Sequence, residues 1–452
     1  RNHYICNMKL KLKKGLKLNI AGGLATDTKA LKPSVGLYAI TPDDFPGFVP
    51  KACVHDGDAV AAGSPLLFDK NHPEVKLVSP VGGRVRAVVR GERRKIMRVE
   101  IEAADTDATA PALPSPVDAT SARRLLAQSG ILALMRQRPY DIVPSPDDKV
   151  RDIFVTALDT APLAASSAVF SSIFTKEDYA AGIALLRKVT DGKVYLCHGS
   201  DWQLGDIAGA EMVEVEGPHP AGNAGVQAAN IAPVNKGEII WTLDLATLGR
   251  IGRVAQGKAP EFRTMVALTG PEVASPALFE TLVGAQVGPM LAGHLDKADH
   301  HRRIISGNVL TGEVVGTDGF LRYPYRQLTV IAEGDDKDEF MGWASLSPSK
   351  MSESRSFPGH FLGRMFRPDA RLNGGRRAMI MSGQYDDMMP MDILPEYLLK
   401  AIISNNIEDM ERLGIYEVAP EDFAAAEYAD TSKLPLQQIV RNGLDYIRKE
   451  LE

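Results

Sequence analysis

The sequence lacks several features that define whole classes of protein. Its 452 residues include only three cysteines, Cys6, Cys53 and Cys197. Since no two of them are close in sequence, a disulfide framework and a cysteine-rich zinc or iron–sulfur motif are excluded within this chain. No apolar run is long enough to span a bilayer. No long basic block is present and the net charge is −5, so we expect no nucleic-acid partner.

What is present is an ordinary globular composition, with 44% hydrophobic and 24% charged residues. A chain of this length has room for roughly three or four domains. The segment Arg1–Asn7 is too short and too polar for a signal peptide, and we expect Met8 to be the true start, preceded by an upstream extension. The sequence predicts a cytoplasmic protein.

Residues 8–108 contain many short strand signals and predict a first, all-β domain. Valines alternate with polar residues in segments 54–68 and 78–85, and glycines provide tight turns at regular intervals. This pattern resembles the flattened barrel-sandwich of biotinyl and lipoyl carrier domains. Lys70 lies at the tip where such carriers bear their cofactor, but its neighbours lack the carrier pattern. We therefore interpret the domain as a scaffold.

The rest of the chain predicts a multidomain α/β and α+β protein. After a linker at 105–116, residues 117–260 alternate strand and helix patterns, typical of a Rossmann-like doubly wound domain. Its first helix is predicted to begin after Ser121 as the N-terminal cap. Residues 261–334 show the order hairpin, short helix, strand, which favours a β-grasp fold. Residues 335–452 predict a mainly helical C-terminal region.

One loop stands out between the short β-branched runs 213–215 and 239–241. Its glycines and prolines fix a turn whose backbone a ligand or a neighbouring loop can approach closely. In an α/β domain such a loop lies at the carboxyl edge of the sheet, where ligands usually bind. The favoured alternative is a rigid turn that packs on its own protein. The residues concerned are Gly217, Pro218, His219, Pro220 and Gly222.

These residues resemble the signature loop of the A subunit of the bacterial sodium-translocating NADH:quinone reductase. The resemblance extends in chain order from about Met8 to the end, through the segments 13–22, 156–164, 355–360 and 389–392. Ala161 is a departure, because an Asn is usual there. The domain predicted at 261–334 is likewise similar to the soluble-ligand-binding β-grasp (SLBB-like) domain of this family.

The resemblance implies a function for the chain as part of a complex. That complex oxidises NADH, reduces ubiquinone or menaquinone and exports sodium, with NADH, flavins and iron–sulfur centres bound by partner subunits. The chain itself would be a peripheral subunit on the cytoplasmic face of the bacterial inner membrane, with no catalytic residues of its own. It would have a quinone-binding or an assembly role.

A flavin site is expected to be lost. The segment 131–140 resembles, in register, the place where flavin-binding subunits of respiratory complex I and Rnf-type complexes carry a glycine-rich loop. Those glycines let backbone N–H groups approach a phosphate. Here Leu134, Met135, Arg136 and Gln137 replace them and would crowd a flavin. We therefore expect no tightly bound cofactor in this chain.

Arg136, Arg138 and Tyr140 are candidate quinone-binding residues. A quinone needs a flat apolar slot with one or two donors for its carbonyl oxygens, and these side chains adjoin the apolar run 131–135. The alternative is a buried helix end whose arginines pair with acids. Two other functions also stay open: a free-standing flavin- or nucleotide-dependent oxidoreductase, and an assembly module without a ligand.

Other motifs carry little functional signal. Segment 252–258 has the spacing of a phosphate loop, but Ala259 stands where magnesium binding requires Ser or Thr. The dinucleotide fingerprint of Rossmann domains is absent. One group of metal-ligand residue types has the polar context of a solvated turn, and we expect no metal site there or elsewhere. Its members are His294, Asp296, Asp299, His300 and His301.

Overall fold

The structure is a computed structural model that describes residues 8–104, 108–295, 297–336, 350–353, 357–362 and 365–451. Several features of the sequence lie outside the described residues: the segment Arg1–Asn7, the start of the predicted linker at 105–107, Asp296, and Arg355 and Ser356.

The strands are β1 (Met8–Lys11), β2 (Ala30–Leu31), β3 (Leu37–Ile40), β4 (Pro50–Ala52), β5 (Ala59–Val60), β6 (Pro65–Asp69), β7 (Lys76–Val78), β8 (Gly83–Arg90), β9 (Ile96–Ala103), β10 (Arg136–Arg138), β11 (Val150–Ala157), β12 (Val194–His198), β13 (Glu211–Glu216), β14 (Ile239–Asp244), β15 (Arg263–Thr269), β16 (Ala277–Leu282), β17 (Arg302–Ser306), β18 (Glu313–Val315) and β19 (Gln327–Ala332). The helices are α1 (Ala119–Gln128), α2 (Ser167–Ser171), α3 (Lys176–Val189), α4 (Ala224–Ile231), α5 (Leu245–Ala255), α6 (Gly288–Leu291), α7 (Gln384–Met388), α8 (Pro395–Ile403), α9 (Ile407–Arg412), α10 (Ala424–Ala429) and α11 (Leu436–Leu451).

The first domain consists of two antiparallel sheets, ordered β3-β9-β8-β5 and β4-β6-β7. Alternate residues of these strands face inward, as the pleat requires. Val99 and Ile101, two positions apart on β9, are almost completely buried. Lys70 is exposed in the turn between β6 and β7.

The second domain is built on a six-stranded sheet ordered β1-β13-β12-β11-β14-β10. All neighbouring pairs are parallel except β10 and β14. One face of β11 turns Ile153 and Val155 towards α1, α3 and α5, in a core continuous with the first domain. The other face turns Phe154 towards α4 and the C-terminal helices. Parallel strands of this kind are covered on both faces, which explains their continuous apolar runs.

The third sheet is ordered β18-β17-β19-β15-β16-β2. Its central strands β15 and β19 are parallel, whereas β15–β16, β17–β19 and β17–β18 are antiparallel pairs. The C-terminal helices α7 to α11 pack on the second face of the α/β sheet. Leu398, Leu399, Val440 and Leu444 are fully buried there.

The alternation of strand and helix that the sequence predicts for residues 117–260 is observed, for example in β11, α3 and β12. The start of α1 was predicted wrongly. Asp118, not Ser121, is the N-terminal cap, and its carboxylate accepts the Ser121 N–H at 2.8 Å, because Ser121 occupies the third helical position of a capping box.

The first residues of the chain do not belong to the sheets of the first domain. Strand β1 pairs in parallel with β13 of the α/β sheet, and β2 pairs in parallel with β16 of the third sheet. The segment between Met8 and Leu31 therefore contacts two later domains before the chain enters the barrel.

Candidate functional site

Core side chains fill the segment where the sequence predicted the loss of a glycine-rich flavin loop. Gly130 turns the chain after α1 with a φ of 76°. A short helical turn, Leu132–Leu134, follows, and Met135 is completely buried. These apolar side chains belong to the core shared by the first two domains. β10 then pairs antiparallel to β14 as an edge strand.

Arg136 points towards the first and third domains. Its Nη2 donates to the Asp44 carbonyl at 2.7 Å, and its Nη1 donates to the Met135 carbonyl at 3.0 Å. The guanidinium lies 6.0 Å from the ring centre of Phe45 and 5.7 Å from that of Tyr323. This side chain holds the start of β10 against the neighbouring domains.

Arg138 points the other way, into the contact between the α/β domain and the C-terminal helices. Its Nη1 donates to Asp422 Oδ2 at 2.8 Å, and its Nη2 donates to Glu421 at 3.3 Å. The side chains of Arg138 and Asp422 are 2% and 0% exposed. Burial alone would lower the pKa of Arg138, but the charges of Asp422, Asp141 and Glu421 raise it above its ordinary value. The arginine stays charged and engaged by protein acids.

Tyr140 borders a cleft instead. Its backbone has a φ of 77°, its carbonyl accepts from Arg441 Nη2 at 2.6 Å, and its ring lies edge-on to Tyr416 at 6.3 Å. The cleft has a volume of about 610 Å³. Arg136 and Arg138 do not line it. The three predicted quinone-binding side chains therefore diverge, and only Tyr140 faces this space.

The cleft lies between the barrel, the α/β domain and the C-terminal helices. Its wall combines apolar and charged side chains. Asp148 is held at the wall by the Trp241 indole N–H, which donates to its carboxylate at 3.0 Å. Burial raises the pKa of Asp148 above its ordinary value, although the Trp241 hydrogen bond opposes this. Lining residues include Asn71, His72, Gln137, Ile142, Ile239 and Arg448. A larger cavity of about 1120 Å³ in the C-terminal part shares no residue with either predicted site.

The signature loop connects β13 to α4 and packs on its own protein. The Leu16 N–H donates to the His219 carbonyl at 2.7 Å, so the amino-terminal segment covers one side of the loop. On the other side Gly222 donates its N–H to Thr160 Oγ1 and accepts from Thr156 Oγ1, both at 2.9 Å. A Cβ at Gly222 would lie 2.8 Å from the Thr160 backbone nitrogen, which explains the glycine.

His219 is the buried titratable group of this loop. It is 5% exposed, and its Nδ1 lies 3.4 Å from Thr160 Oγ1. Burial disfavours the imidazolium and lowers the pKa of His219, while the charges of Asp159 and Asp422 oppose the shift. The imidazole is therefore neutral at neutral pH and acts as a packed core side chain.

The usual ligand crevice of such a sheet is covered by the third domain. This crevice is expected at the carboxyl ends of β11 and β14, where connections leave in opposite directions. There Arg326 pairs with Asp244 at 3.5 Å and lies 4.1 Å from the ring centre of Phe170. Gln327 donates to the Pro162 carbonyl at 3.1 Å. Contacts between the third domain and the α/β domain therefore fill this edge of the sheet.

The remaining sequence motifs are engaged in local contacts. Lys258, the last residue of the phosphate-loop-like segment, follows α5 and pairs with Asp178 at 3.4 Å. The histidines after α6 separate: His294 contacts Ser275, His300 contacts Glu272 at 2.9 Å, and His301 contacts Asp335 at 2.7 Å.

Among the described residues, none of the helices has both the length and the apolar character needed to cross a membrane. A solved NAD+-reducing NiFe hydrogenase in the H2-reduced state has a TM-score of 0.38 at 14% identity, over 75% of this chain and 63% of that chain. That likeness is too low to support an argument.

Family comparisons cover most of the chain. The model of the NqrA N-terminal barrel-sandwich hybrid domain matches residues 10–104, that of the NqrA second alpha/beta domain matches 117–258, and that of the NQRA C-terminal domain matches 265–316. These matches confirm the predicted barrel-sandwich and α/β domains.

Full-length relatives carry the same family name. The A subunit of the Na(+)-translocating NADH-quinone reductase of Neisseria meningitidis serogroup C is 36% identical over 451 residues, covering 98% of this chain and 100% of the relative. The corresponding A subunits of Serratia proteamaculans and Yersinia pestis are 34% and 33% identical, with the same coverage. The chain therefore belongs to the family of A subunits of the Na(+)-translocating NADH-quinone reductase, as the signature loop predicted.

Proposed function

We propose that this chain is the peripheral A subunit of a sodium-translocating NADH:quinone reductase. It acts at the cytoplasmic face of the bacterial inner membrane, in contact with the other subunits of the complex. The complex couples the oxidation of NADH and the reduction of a quinone to the export of sodium. The observation that carries this proposal is the match of relatives with that name along 98% of this chain and all of theirs.

Within the complex, NADH, flavins and iron–sulfur centres belong to partner subunits. Two observations support this division. Core side chains fill the segment where related flavoproteins carry their glycine loop, and third-domain residues cover the ordinary nucleotide crevice. Purified chain is expected to carry no stoichiometric flavin. Its role is quinone contact or assembly.

Finer fold assignments are part of the same proposal. The strand order β13-β12-β11-β14 with helices on both faces supports a Rossmann-like doubly wound domain. The order β16-β15-β19-β17-β18, with β15 parallel to β19, supports a β-grasp domain. The proposed domain limits are 8–108, 117–260, 261–334 and 335–452. Strands β1 and β2 are exceptions, because they pair with strands of the second and third domains.

A quinone headgroup would enter the cleft beside Tyr140. The mixed apolar and polar wall, and the volume of about 610 Å³, suit a flat ring with two carbonyl oxygens. Arg136 and Arg138 serve this site indirectly, because their guanidinium groups are held by Asp44 and Asp422. They fix the β10 segment that presents Tyr140. The signature loop is structural, since its contacts are with the protein itself.

Affinity purification of the tagged chain from membranes of its native host tests the complex. We expect the other reductase subunits to co-purify, and high salt to release the chain in a form that stays in solution without detergent. If the chain purifies without other subunits and carries bound flavin, it is instead a free-standing oxidoreductase. Co-purification without any effect of the variants below on quinone binding would identify an assembly module.

Titration with a short-chain quinone tests the cleft. Tyr140→Phe removes one donor and should weaken binding by about 1–2 kcal/mol, or roughly 5–30-fold, without lowering the melting temperature. Tyr397→Phe is the matched control, because Tyr397 is a 56% exposed tyrosine on α8 that does not line the cleft. Equal affinities for the two variants would remove this site.

A further inference from the structure

A group of metal-ligand side chains lies where the barrel contacts the α/β domain, beside the cleft that Tyr140 borders. His72 and Glu74 come from the turn between β6 and β7, and Asp147 comes from the loop before β11. One nitrogen or oxygen atom from each of the three lies within 4.8 Å of those of the others. We propose that these residues bind one divalent zinc-class ion that links the two domains.

The spacing fits a single ion after small side-chain movements. Imidazole nitrogen and carboxylate oxygen bind Zn²⁺ at about 2.0–2.2 Å, so atoms around one ion are about 3–4 Å apart. The observed spread of up to 4.8 Å exceeds this by about 1–2 Å. His72 and Glu74 are partly exposed and Asp147 is exposed, so rotation about their side-chain bonds closes the gap without moving the backbone. Water completes the coordination.

Backbone contacts hold both loops in place. The Val75 N–H donates to the His72 carbonyl at 2.9 Å, which fixes the barrel turn. In the other loop, Ser145 Oγ accepts the Asp147 N–H at 3.2 Å, and the Ser145 N–H donates to Asp148 at 3.0 Å. Asp148 is itself engaged by Trp241 and is not counted as a ligand. The candidate donors therefore project from two fixed loops.

The donor set selects the class of ion. One imidazole and two carboxylates, without a thiolate, suit Zn²⁺ and neighbouring divalent transition metals better than Cu(I) or an iron–sulfur cluster. The two carboxylates contribute negative charge, which a divalent cation balances. Since the side chains are partly exposed, the binding is reversible and the ion exchanges with solvent.

The sequence does not reveal this group, because Asp147 is distant in sequence from His72 and Glu74. The group of metal-ligand residue types that is visible in the sequence, around His300, is dispersed in the structure, where its histidines have different partners. An ion at this place would hold the turn that carries His72 against the α/β domain. Because His72 also lines the cleft beside Tyr140, the ion would stiffen one wall of that cleft.

Calorimetric titration of the whole chain with Zn²⁺, after treatment with a chelator, tests the proposal. We expect one Zn²⁺ per chain and a higher melting temperature in its presence, because a ligand of the folded state stabilises that state. Loss of an outer-shell partner alone costs about 10–100-fold in metal affinity. His72→Ala and Asp147→Asn, which each remove a ligand, should therefore weaken binding at least about tenfold and reduce the thermal shift at the same Zn²⁺ concentration.

His55→Ala is the matched control. His55 is an exposed histidine of the same barrel, with its Nδ1 3.7 Å from Asp58, so it offers an imidazole with one carboxylate and not two. This variant should bind Zn²⁺ as the wild type does. Absence of binding by the wild type, or equal losses in His55→Ala and His72→Ala, would overturn the proposal. If His72→Ala unfolds, Asp147→Asn decides, because it replaces an exposed side chain by one of the same shape.

Discussion

At the scale of single residues, Arg138 makes the contact with the largest predicted effect. Replacing Arg138 by alanine removes the cation that pairs with the buried Asp422, whose remaining donors are the Asn223 amide at 3.0 Å and the Ala419 N–H at 2.9 Å. Breaking a buried ion pair in this way costs about 3–5 kcal/mol. Chemical unfolding followed by circular dichroism should show the loss.

Arg412→Ala provides the comparison for that variant. Arg412 is 74% exposed and lies 3.9 Å from Glu408 on the same helix, so its removal should cost roughly 0–1 kcal/mol. Arg138→Ala with unchanged stability but weakened quinone binding would show that the arginine serves a ligand directly.

A second prediction concerns acid. Burial lowers the pKa of His219 in the folded protein, whereas the unfolded chain takes up a proton there near pH 6.5. Protonation therefore favours the unfolded state. The contribution of neutral His219 to the free energy of unfolding is complete above about pH 6.5. As the pH falls towards the folded-state pKa, the free energy of unfolding decreases by up to about 1.4 kcal/mol per pH unit.

Unfolding curves at several pH values test whether the free energy of unfolding decreases as the pH falls. Between about pH 7 and pH 5.5, wild type should lose more stability than His219→Asn, which has no group to protonate there. His55→Asn, at an exposed histidine, should keep the full pH dependence. Parallel pH profiles for wild type and His219→Asn would show that the imidazole titrates equally in both states.

Residue contacts of this kind were only partly predictable. The sequence indicated that arginines near 131–140 would either meet a ligand or pair with acids. Arg138 pairs with an acid and not with a ligand because of Asp422, which is 284 positions away in sequence. Periodicity gives no register between segments so distant, so only the fold could identify the partner.

At the scale of elements, the signature loop depends on Gly222. A methyl group at this position would lie 2.8 Å from the Thr160 nitrogen and 3.0 Å from the Leu158 carbonyl oxygen. Because both neighbours are backbone atoms, they cannot rotate away. Gly222→Ala should therefore destabilise the protein by about 1–3 kcal/mol, as overpacking of a filled site does.

Gly36→Ala is the control, since a Cβ there meets nothing within 4 Å. Thermal melts of the two variants should differ, with Gly222→Ala melting lower. Equal melting temperatures would mean that the loop shifts without cost, and the structural role of the signature would have to be abandoned.

Local patterns predicted most elements, because strand and helix periods are encoded by neighbouring residues. The capping residue of α1 was missed by three positions, since both Asp118 and Ser121 are good caps and their reciprocal hydrogen bonds decide between them. The pairing of β1 with β13 had no local signal. It is supported by exposed pairs such as Lys9 with Glu214, which are 205 positions apart.

At the scale of the whole molecule, the domain order followed from shifts in periodicity along the chain. The packing of the domains against one another could not be predicted from periodicity. Third-domain residues Arg326 and Gln327 cover the crevice of the α/β sheet, and the C-terminal helices cover its second face. Both the edge and the second face of this sheet are thereby packed with side chains from other parts of the same chain.

Rescue of a deletion strain tests whether this chain is the A subunit of the reductase. Inverted membrane vesicles from the native host, lacking this chain, would be assayed for sodium-dependent quinone reduction by NADH and for sodium uptake. Both activities are predicted to be lost and to return when the wild-type chain is restored. Vesicles that keep both activities without the chain would contradict its assignment as the A subunit of the sodium-translocating reductase.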